Sequence, residues 1–256
     1  MVLHRTYLIP HGDEILSFPN EESRIMNEAI TNVTKNDSSQ TILIISPHFL
    51  RIPNGIPVIN TQYLAGKYAI GKNILKGGFQ TDRELNSRLF KASRYFVETG
   101  FITTEGELST FPIDFGSLIP LTFFCKKNVS ILGQWRTPRR ELLIELGAKM
   151  YDAVSKVDKD VSVVFSADQA HTHSKTGPYG FSSKAKKYDN LVINAIKKNR
   201  FDELIKLDED YIKEARPDSY WNLLMFYGFT RRGNLVPKFH YYYLQEYFGM
   251  LLATAN

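Results

Sequence analysis

The chain has 256 residues, of which 43% are hydrophobic, so it is long enough to bury the core of one large domain or two small ones. It has no run of about 18 apolar residues and no apolar signal-peptide core near Met1, so we expect neither a membrane span nor a secretory leader. The single cysteine, Cys125, excludes an intrachain disulfide framework and predicts a cytoplasmic protein.

The chain is basic, with a formal net charge of +5 and a pI of about 9.1. Lysine and arginine cluster in residues 136–140, 184–187, 197–200 and 231–232. Acidic residues interrupt the rest of the chain, and no nucleic-acid-binding motif is present. We therefore predict a solvated basic surface and no nucleic-acid partner. The same positive charge also suits the binding of an acidic small-molecule substrate.

Strand-like and helix-like segments alternate along the chain. Short apolar runs predict strands at residues 5–9, 41–46, 57–62, 128–132 and 160–165. Helical patterns cover residues 21–35, 82–98, 138–156, 183–198, 201–207 and 219–226. This alternation predicts an α/β fold, with a central mostly parallel or mixed sheet flanked by helices, in a single domain over residues 1–256.

Two segments carry further structural signals. In the predicted helix 138–156, Thr137 is a candidate N-cap and Pro138 suits the first helical position. Four apolar residues at helical spacing predict its buried face: Leu143, Leu146, Met150 and Val154. The aromatic tail at residues 238–248 predicts a strand at a sheet edge or a dimer contact, so we expect a homodimer.

Two histidines directly follow predicted strands. His11 comes after strand 5–9 and His48 after strand 41–46, and both are preceded by proline, which restricts the local backbone. Loops at strand ends converge on one edge of an α/β sheet, and imidazole is the commonest metal ligand. The pattern predicts a metal site. Asp13 and Glu14 can hold the His11 imidazole in place or cap the following helix.

A mononuclear iron(II) site typically combines two histidines with one carboxylate. The candidates for that carboxylate are Asp218 and Glu214, which both lie shortly before the predicted helix 219–226. Asp218 is equally suited to be the N-cap of that helix.

A third strand end supplies two more histidines. His171 and His173 follow strand 160–165 and share a face if the chain there is extended. One of them can serve as the acid/base and the other as a hydrogen-bond donor to substrate. Tyr179 lies in a predicted tight turn that brings aromatic side chains near the site. Arg51 either directs a substrate carboxylate or belongs to the surface.

Taken together, these segments resemble the class III extradiol ring-cleavage dioxygenases, the superfamily of the protocatechuate 4,5-dioxygenase catalytic subunit. The matching pieces are Pro10-His11-Gly12, Ser46-Pro47-His48, Asp114-Phe115-Gly116 with Ile119-Pro120-Leu121, Ser166 to His171, and Gly177-Pro178-Tyr179-Gly180, followed by a weaker piece at residues 214–228. They occur in the family order and span about residues 5 to 230.

The resemblance implies an iron(II)-dependent enzyme that cleaves a catechol-type aromatic ring with O2. His11 and His48 would be ligands to the non-haem iron, with a carboxylate at residues 214–218 as the third, and His171 would perform the acid/base work. The expected partners are the small aromatic substrate and O2. Phe115, Tyr179 and Arg51 are the candidate substrate-binding residues.

The chain departs from the family pattern at two positions. Many members have a histidine where Phe115 stands, and phenylalanine cannot transfer a proton. Simple alignment places Pro217 where members often carry the ligand glutamate, and we prefer the adjacent Asp218 over Glu214. Two other functions therefore stay open. One is a zinc-dependent hydrolase, and the other is a non-catalytic metal-binding protein of the Memo-like type, which is a distant part of the superfamily.

Overall fold

The computed structural model describes residues 3–125 and 127–256. The elements in chain order are β1 (Leu3–Ile9), α1 (Glu14–Ser17), α2 (Glu21–Thr34), β2 (Thr41–Ser46), β3 (Ile56–Ile59), β4 (Tyr63–Ile70), β5 (Asn73–Gln80), α3 (Arg83–Ala92), β6 (Phe96–Thr99), β7 (Thr110–Pro112), α4 (Phe115–Leu121), β8 (Asn128–Gly133), α5 (Arg140–Val154), β9 (Val161–Ser166), α6 (Ser183–Lys198), α7 (Asp202–Ile205), α8 (Glu209–Ala215), α9 (Tyr220–Arg232), β10 (Pro237–Leu244) and β11 (Gly249–Ala255).

Eight strands form one mixed sheet in the order β10-β11-β1-β9-β2-β8-β3-β6. The four central strands β1, β9, β2 and β8 run parallel to one another, whereas β11 pairs antiparallel with β1. Along β2, Leu43 and Ile45 pack into one core cluster and Ile42 and Ile44 into the other, because successive strand residues point to opposite faces. Helices cover both faces, so the predicted α/β fold is confirmed, and burial on both faces explains the continuous apolar runs.

The central strands lie close to where the sequence predicts them. The predicted strand 57–62 is shorter and shifted, at Ile56–Ile59, and the aromatic tail forms β10 at an edge of the sheet. The predicted helix 82–98 is wrong at its end. It stops at Ala92, and Phe96–Thr99 forms β6 alongside β3. The three-stranded sheet β5-β4-β7 and the strand β11 were not predicted.

Helix α5 begins two residues later than the sequence predicts. Its N-cap is Arg139, and Thr137 instead accepts a hydrogen bond from the Arg139 backbone N–H at 3.3 Å. All four residues predicted for its buried face are fully buried. In the part of the chain that the structure describes, no helix has the length and apolar character needed to cross a membrane.

Helices α5 and α9 approach closely because each contributes a glycine to the contact. A β-carbon at Gly228 would overlap the carbonyl oxygen of Ile144, and one at Gly147 would overlap that of Met225. We expect Gly228→Ala to lower the free energy of unfolding by about 1–3 kcal/mol, since overpacking outweighs the gain in helix propensity. Urea denaturation measures this. Gly78→Ala, whose new methyl group would come no closer than 4.0 Å to Leu64 O, should leave the midpoint nearly unchanged.

Candidate metal centre

The candidate site lies where three neighbouring parallel strands end. His11 follows β1, His48 follows β2, and Asp168 follows β9, which lies between those two strands in the sheet. Asp218 comes from the segment between α8 and α9. The carboxyl ends of β1, β9 and β2 meet at one sheet edge because these strands run in the same direction, and that edge is where α/β proteins build sites.

Three of the predicted residues converge at this edge. The Nε2 atoms of His11 and His48 lie 3.2 and 3.1 Å from the same oxygen, Asp218 Oδ2. One ligand atom from each of the three residues lies within 4.8 Å of the others. His11 and Asp218 are almost fully buried, whereas His48 faces a cleft. Two imidazoles and a carboxylate in this arrangement fit a divalent metal ion with positions left open.

The tautomer of His11 follows from its hydrogen bonds. Its Nδ1 lies 2.9 Å from Ser166 Oγ, and that hydroxyl donates its only proton to the carbonyl oxygen of Gly116 at 2.6 Å. Ser166 must therefore accept from His11 Nδ1–H. The other ring nitrogen, Nε2, faces Asp218 Oδ2 at 3.2 Å, and it can bind a metal ion once it gives up its proton. Ser166 thus has the orienting role for which the sequence suggested Asp13 or Glu14.

Hydrogen bonds from the backbone and from a buried amide hold Asp218 in place. The Asp168 backbone N–H donates to Asp218 Oδ1 at 2.9 Å, and the Gln134 side-chain nitrogen donates to the Asp218 carbonyl oxygen at 2.6 Å. Ser219, and not Asp218, is the N-cap residue of α9. The Asp218 carboxylate is therefore turned to the two histidines and does not cap the helix.

The electrostatics around this group of three residues, His11, His48 and Asp218, favour a positive charge at its centre. Burial opposes a charge on His11, but the carboxylates of Asp168 and Asp218 raise its pKa to about 9. Burial raises the pKa of Asp168 to about 7, against the lowering effect of His11. Burial also disfavours the charged form of Asp218, yet His11 and the hydrogen bonds from both histidines hold its pKa well below the usual range. A bound cation would satisfy these carboxylates directly.

His171 lies beside the group with its own tautomer fixed. Its Nδ1 is 2.8 Å from the carbonyl oxygen of Gln169 and 3.1 Å from that of Arg216, so Nδ1 carries the proton. Its Nε2 lies 4.0 Å from Asp218 Oδ2. Burial lowers the pKa of His171, which favours the neutral ring. The ring stacks on Phe248 at a centroid distance of 5.3 Å. His171 therefore presents an unprotonated nitrogen to the site.

His173 does not join this group, contrary to the sequence prediction. Its Nε2 lies 2.8 Å from Asp189 Oδ2, which also accepts a hydrogen bond from the Tyr242 hydroxyl at 2.6 Å. The other oxygen of Asp189 accepts from the Ala170 backbone N–H at 2.9 Å. His171 and His173 thus bond to different partners because the segment between them is not a regular strand. The contacts of His173 are those of a residue that holds the loop.

Glu214, the alternative third ligand, also lies outside the group. It projects from α8, is exposed, and accepts a hydrogen bond from Lys184 Nζ at 2.7 Å. Glu214 points away from the group because it lies in the last turn of α8, and the opposite side of that helix is buried through Ile212 and Ala215.

The candidate substrate-binding residues occupy two sides of the group. The Phe115 ring packs 4.5 Å from the His48 ring and 5.8 Å from the His11 ring. Phe115 begins helix α4, which directly follows Asp114. On the other side, Arg51 and Tyr179 line a cleft of about 780 Å³ together with His48, His171 and Asp218.

Three residues at the site had no assigned role in the sequence interpretation. They are Ser166, which orients His11; Asp168, whose Oδ2 lies 3.4 Å from His11 Nε2; and Gln134, which bonds to Asp218. The sequence could have pointed to each of them, because all three stand at or just beyond the carboxyl end of a central strand.

Two known proteins are similar to this chain. A relative, Protein CA_C1420 of Clostridium acetobutylicum, is 23% identical over 231 residues, which cover 84% of this chain and 49% of the relative. The chain thus spans about half the length of that relative. A crystal structure of uncharacterized protein JW3007 from Escherichia coli K12 shares the fold, with a TM-score of 0.68 and 15% identity over 98% of this chain and 99% of that one.

The family assignment comes from the sequence match. Residues 5–252 match the model of the family described as catalytic LigB subunit of aromatic ring-opening dioxygenase. The chain therefore belongs to the LigB family of aromatic ring-opening dioxygenases.

Proposed function

We propose that the protein is an iron(II)-dependent extradiol dioxygenase that opens a catechol-type aromatic ring with O2. The observation that carries the proposal is the convergence of His11, His48 and Asp218 on one point at the end of the cleft. Two histidines and one carboxylate with open positions are typical of iron(II) oxygenases. The family of the chain supports the same class of reaction.

In this proposal the three ligands have distinct surroundings. His11 is buried and fixed by Ser166, so it anchors the ion on the protein side. His48 faces the cleft and leaves room for substrate next to the ion. Asp218 supplies the negative charge. Bound to these residues, iron(II) supplies the redox chemistry that a reaction with O2 requires and lowers the pKa of a coordinated hydroxyl group.

His171 is the proposed acid/base. A catechol must lose a proton from a hydroxyl as it binds, and the free Nε2 of His171 lies beside the site to accept it. The carbonyl oxygens of Gln169 and Arg216 keep Nδ1 protonated, so the ring does not need to rotate or change tautomer before accepting. The protonated ring can later return that proton to the opening ring. Phe115 packs on the histidine ligands and cannot transfer a proton, so the proton transfer is assigned to His171.

The test is oxygen uptake after anaerobic loading with iron(II), measured across a panel of catechols. We expect uptake and a coloured ring-fission product with iron(II), and neither with zinc in its place. Turnover of an ester or amide by the zinc-loaded protein, without oxygen, would favour the hydrolase. One bound metal ion per chain with no turnover of any kind would instead indicate the Memo-like alternative.

A further inference from the structure

A buried carboxylate outside the candidate metal centre is bonded to the segment that carries His171. This carboxylate belongs to Asp189 in α6, and its side chain is only 2% exposed. Its Oδ1 accepts a hydrogen bond from the Ala170 backbone N–H at 2.9 Å. Its Oδ2 lies 2.6 Å from the Tyr242 hydroxyl and 2.8 Å from His173 Nε2. Three hydrogen bonds therefore compensate the burial of the carboxylate.

All three of these groups donate to Asp189. Burial, and then the charge of Asp189, hold the pKa of Tyr242 above its usual range, so the hydroxyl keeps its proton and donates it. An ionised carboxylate only accepts hydrogen bonds, so His173 Nε2 carries the proton of its contact. An amide in this place would direct an NH2 group at neighbours that are themselves donors. Neutralising Asp189 as asparagine would therefore loosen the whole arrangement.

Two of the three donors flank His171 in the chain. Ala170 directly precedes it, and His173 lies two residues after it. Asp189 therefore holds the backbone on both sides of His171. Only two side-chain bonds separate that backbone from the imidazole ring, so the direction of Nε2 depends on where the backbone lies.

The aromatic residue that stacks on His171 is bonded to the same segment. The Phe248 ring lies 5.3 Å from the His171 ring, and the two planes differ by 11°. The residue after Phe248 donates its backbone N–H to the Ala170 carbonyl oxygen at 3.2 Å, and the residue before it accepts from the His173 backbone N–H at 3.2 Å. Asp189 thus holds the same two residues that keep the His171 ring against its stacking partner.

We propose that Asp189 is the positioning residue of the acid/base: it fixes the backbone around His171 so that the Nε2 of that ring faces the candidate metal centre. The inference rests on the proposed function for the reaction that His171 serves. A proton acceptor must lie within hydrogen-bond reach of the proton that it takes. A small displacement of the ring would therefore lower the rate while leaving the three proposed ligands in place.

The first test is Asp189→Asn in the iron-loaded protein, with catechol as the substrate. We expect kcat to fall by about 10- to 100-fold, since displacing a reacting group by about 1 Å has a cost of this order. KM and metal content should stay near those of the wild type, because Asp189 is not among the proposed ligands.

Asp37→Asn is the matched control for this test. The Asp37 side chain is also buried and also accepts a hydrogen bond from a tyrosine hydroxyl, that of Tyr7 at 2.8 Å. It lies before β2, whereas His48 follows the other end of that strand. Asp37→Asn should lower stability without lowering kcat.

A double-mutant cycle with His171→Gln separates positioning from a general loss of structure. If Asp189 acts through His171, Asp189→Asn lowers kcat in the wild-type background and has no further effect once His171 is glutamine. An equal fall in both backgrounds would overturn the proposal. Should Asp189→Asn fail to fold, His173→Leu removes one of the three donors and is taken through the same cycle, with the same two outcomes.

A second readout requires no turnover. In NMR spectra of the zinc-loaded protein with isotopically labelled histidine, the ring protons of His171 should be shifted by the ring current of Phe248, and His171→Gln identifies their signals. We expect Asp189→Asn to move these signals and Asp37→Asn to leave them in place.

The two readouts distinguish this inference from the proposed function. Signals that move in Asp189→Asn, in a protein whose iron-loaded form takes up no oxygen, would support the positioning role and overturn the proposed function. Oxygen uptake with catechol, together with signals and kcat that Asp189→Asn leaves unchanged, would overturn the positioning role and leave the proposed function in place.

Discussion

Replacing Asp218 with asparagine is expected to remove most of the bound metal and with it essentially all turnover. The substitution keeps the size of the side chain, but it removes the negative charge that faces both His11 Nε2 and His48 Nε2. A ligand set of two neutral imidazoles and an amide binds divalent iron far more weakly than one that includes a carboxylate. Metal content per chain, measured after iron(II) loading and desalting, should fall well below one, and oxygen uptake should fall in parallel.

Glu214→Gln is the control for this experiment. Glu214 lies four residues earlier in the chain, is exposed, and pairs with Lys184, so its neutralisation should leave both metal content and turnover unchanged. Circular dichroism spectra of the two variants should match that of the wild type. If Glu214→Gln lost the metal and Asp218→Asn kept it, the assignment of the third ligand would be wrong.

Replacing His171 with glutamine is expected to separate chemistry from metal binding. The variant should retain the metal, because the atoms proposed as ligands belong to other residues. Turnover should fall by about 10²- to 10⁴-fold, the usual contribution of a positioned general acid/base. Glutamine can still donate to the carbonyl oxygen of Gln169, but it cannot accept a proton from a catechol at neutral pH.

The readout is kcat measured alongside metal content and the affinity for catechol. His240→Gln is the matched control, since His240 lies on the edge strand β10 and bonds to Thr254. It should be indistinguishable from wild type in all three measurements. A fully active His171→Gln variant would exclude His171 as the acid/base, whereas loss of metal from it would make His171 part of the metal-binding group.

The sequence by itself determined the parts of this protein that depend on local pattern. Apolar runs identified the central strands, because a strand buried on both faces must be apolar throughout. Once those strands were assigned, His11 and His48 stood at their ends. A parallel arrangement brings such ends to one edge, so the convergence of the two histidines was predictable without coordinates.

Tertiary structure alone decided the choices that depend on side-chain direction in irregular segments. The sequence favoured Asp218 as the third ligand but left Glu214 open, and only the packing of α8 turns Glu214 towards Lys184 and away from the cleft. In the same way, a hydrogen bond to Asp189 holds His173 outside the candidate metal centre, whereas His171 lies beside it.

Pairing between distant segments decided the remaining differences in the fold. The helical pattern at residues 82–98 was overridden after Ala92, because Phe96–Thr99 pairs with β3, about 40 residues earlier in the chain. Arg136 and Arg51, which line the same cleft, likewise come from two distant segments. Local sequence carries little information about such contacts, since their energy arises only when the chain has folded and the two segments meet.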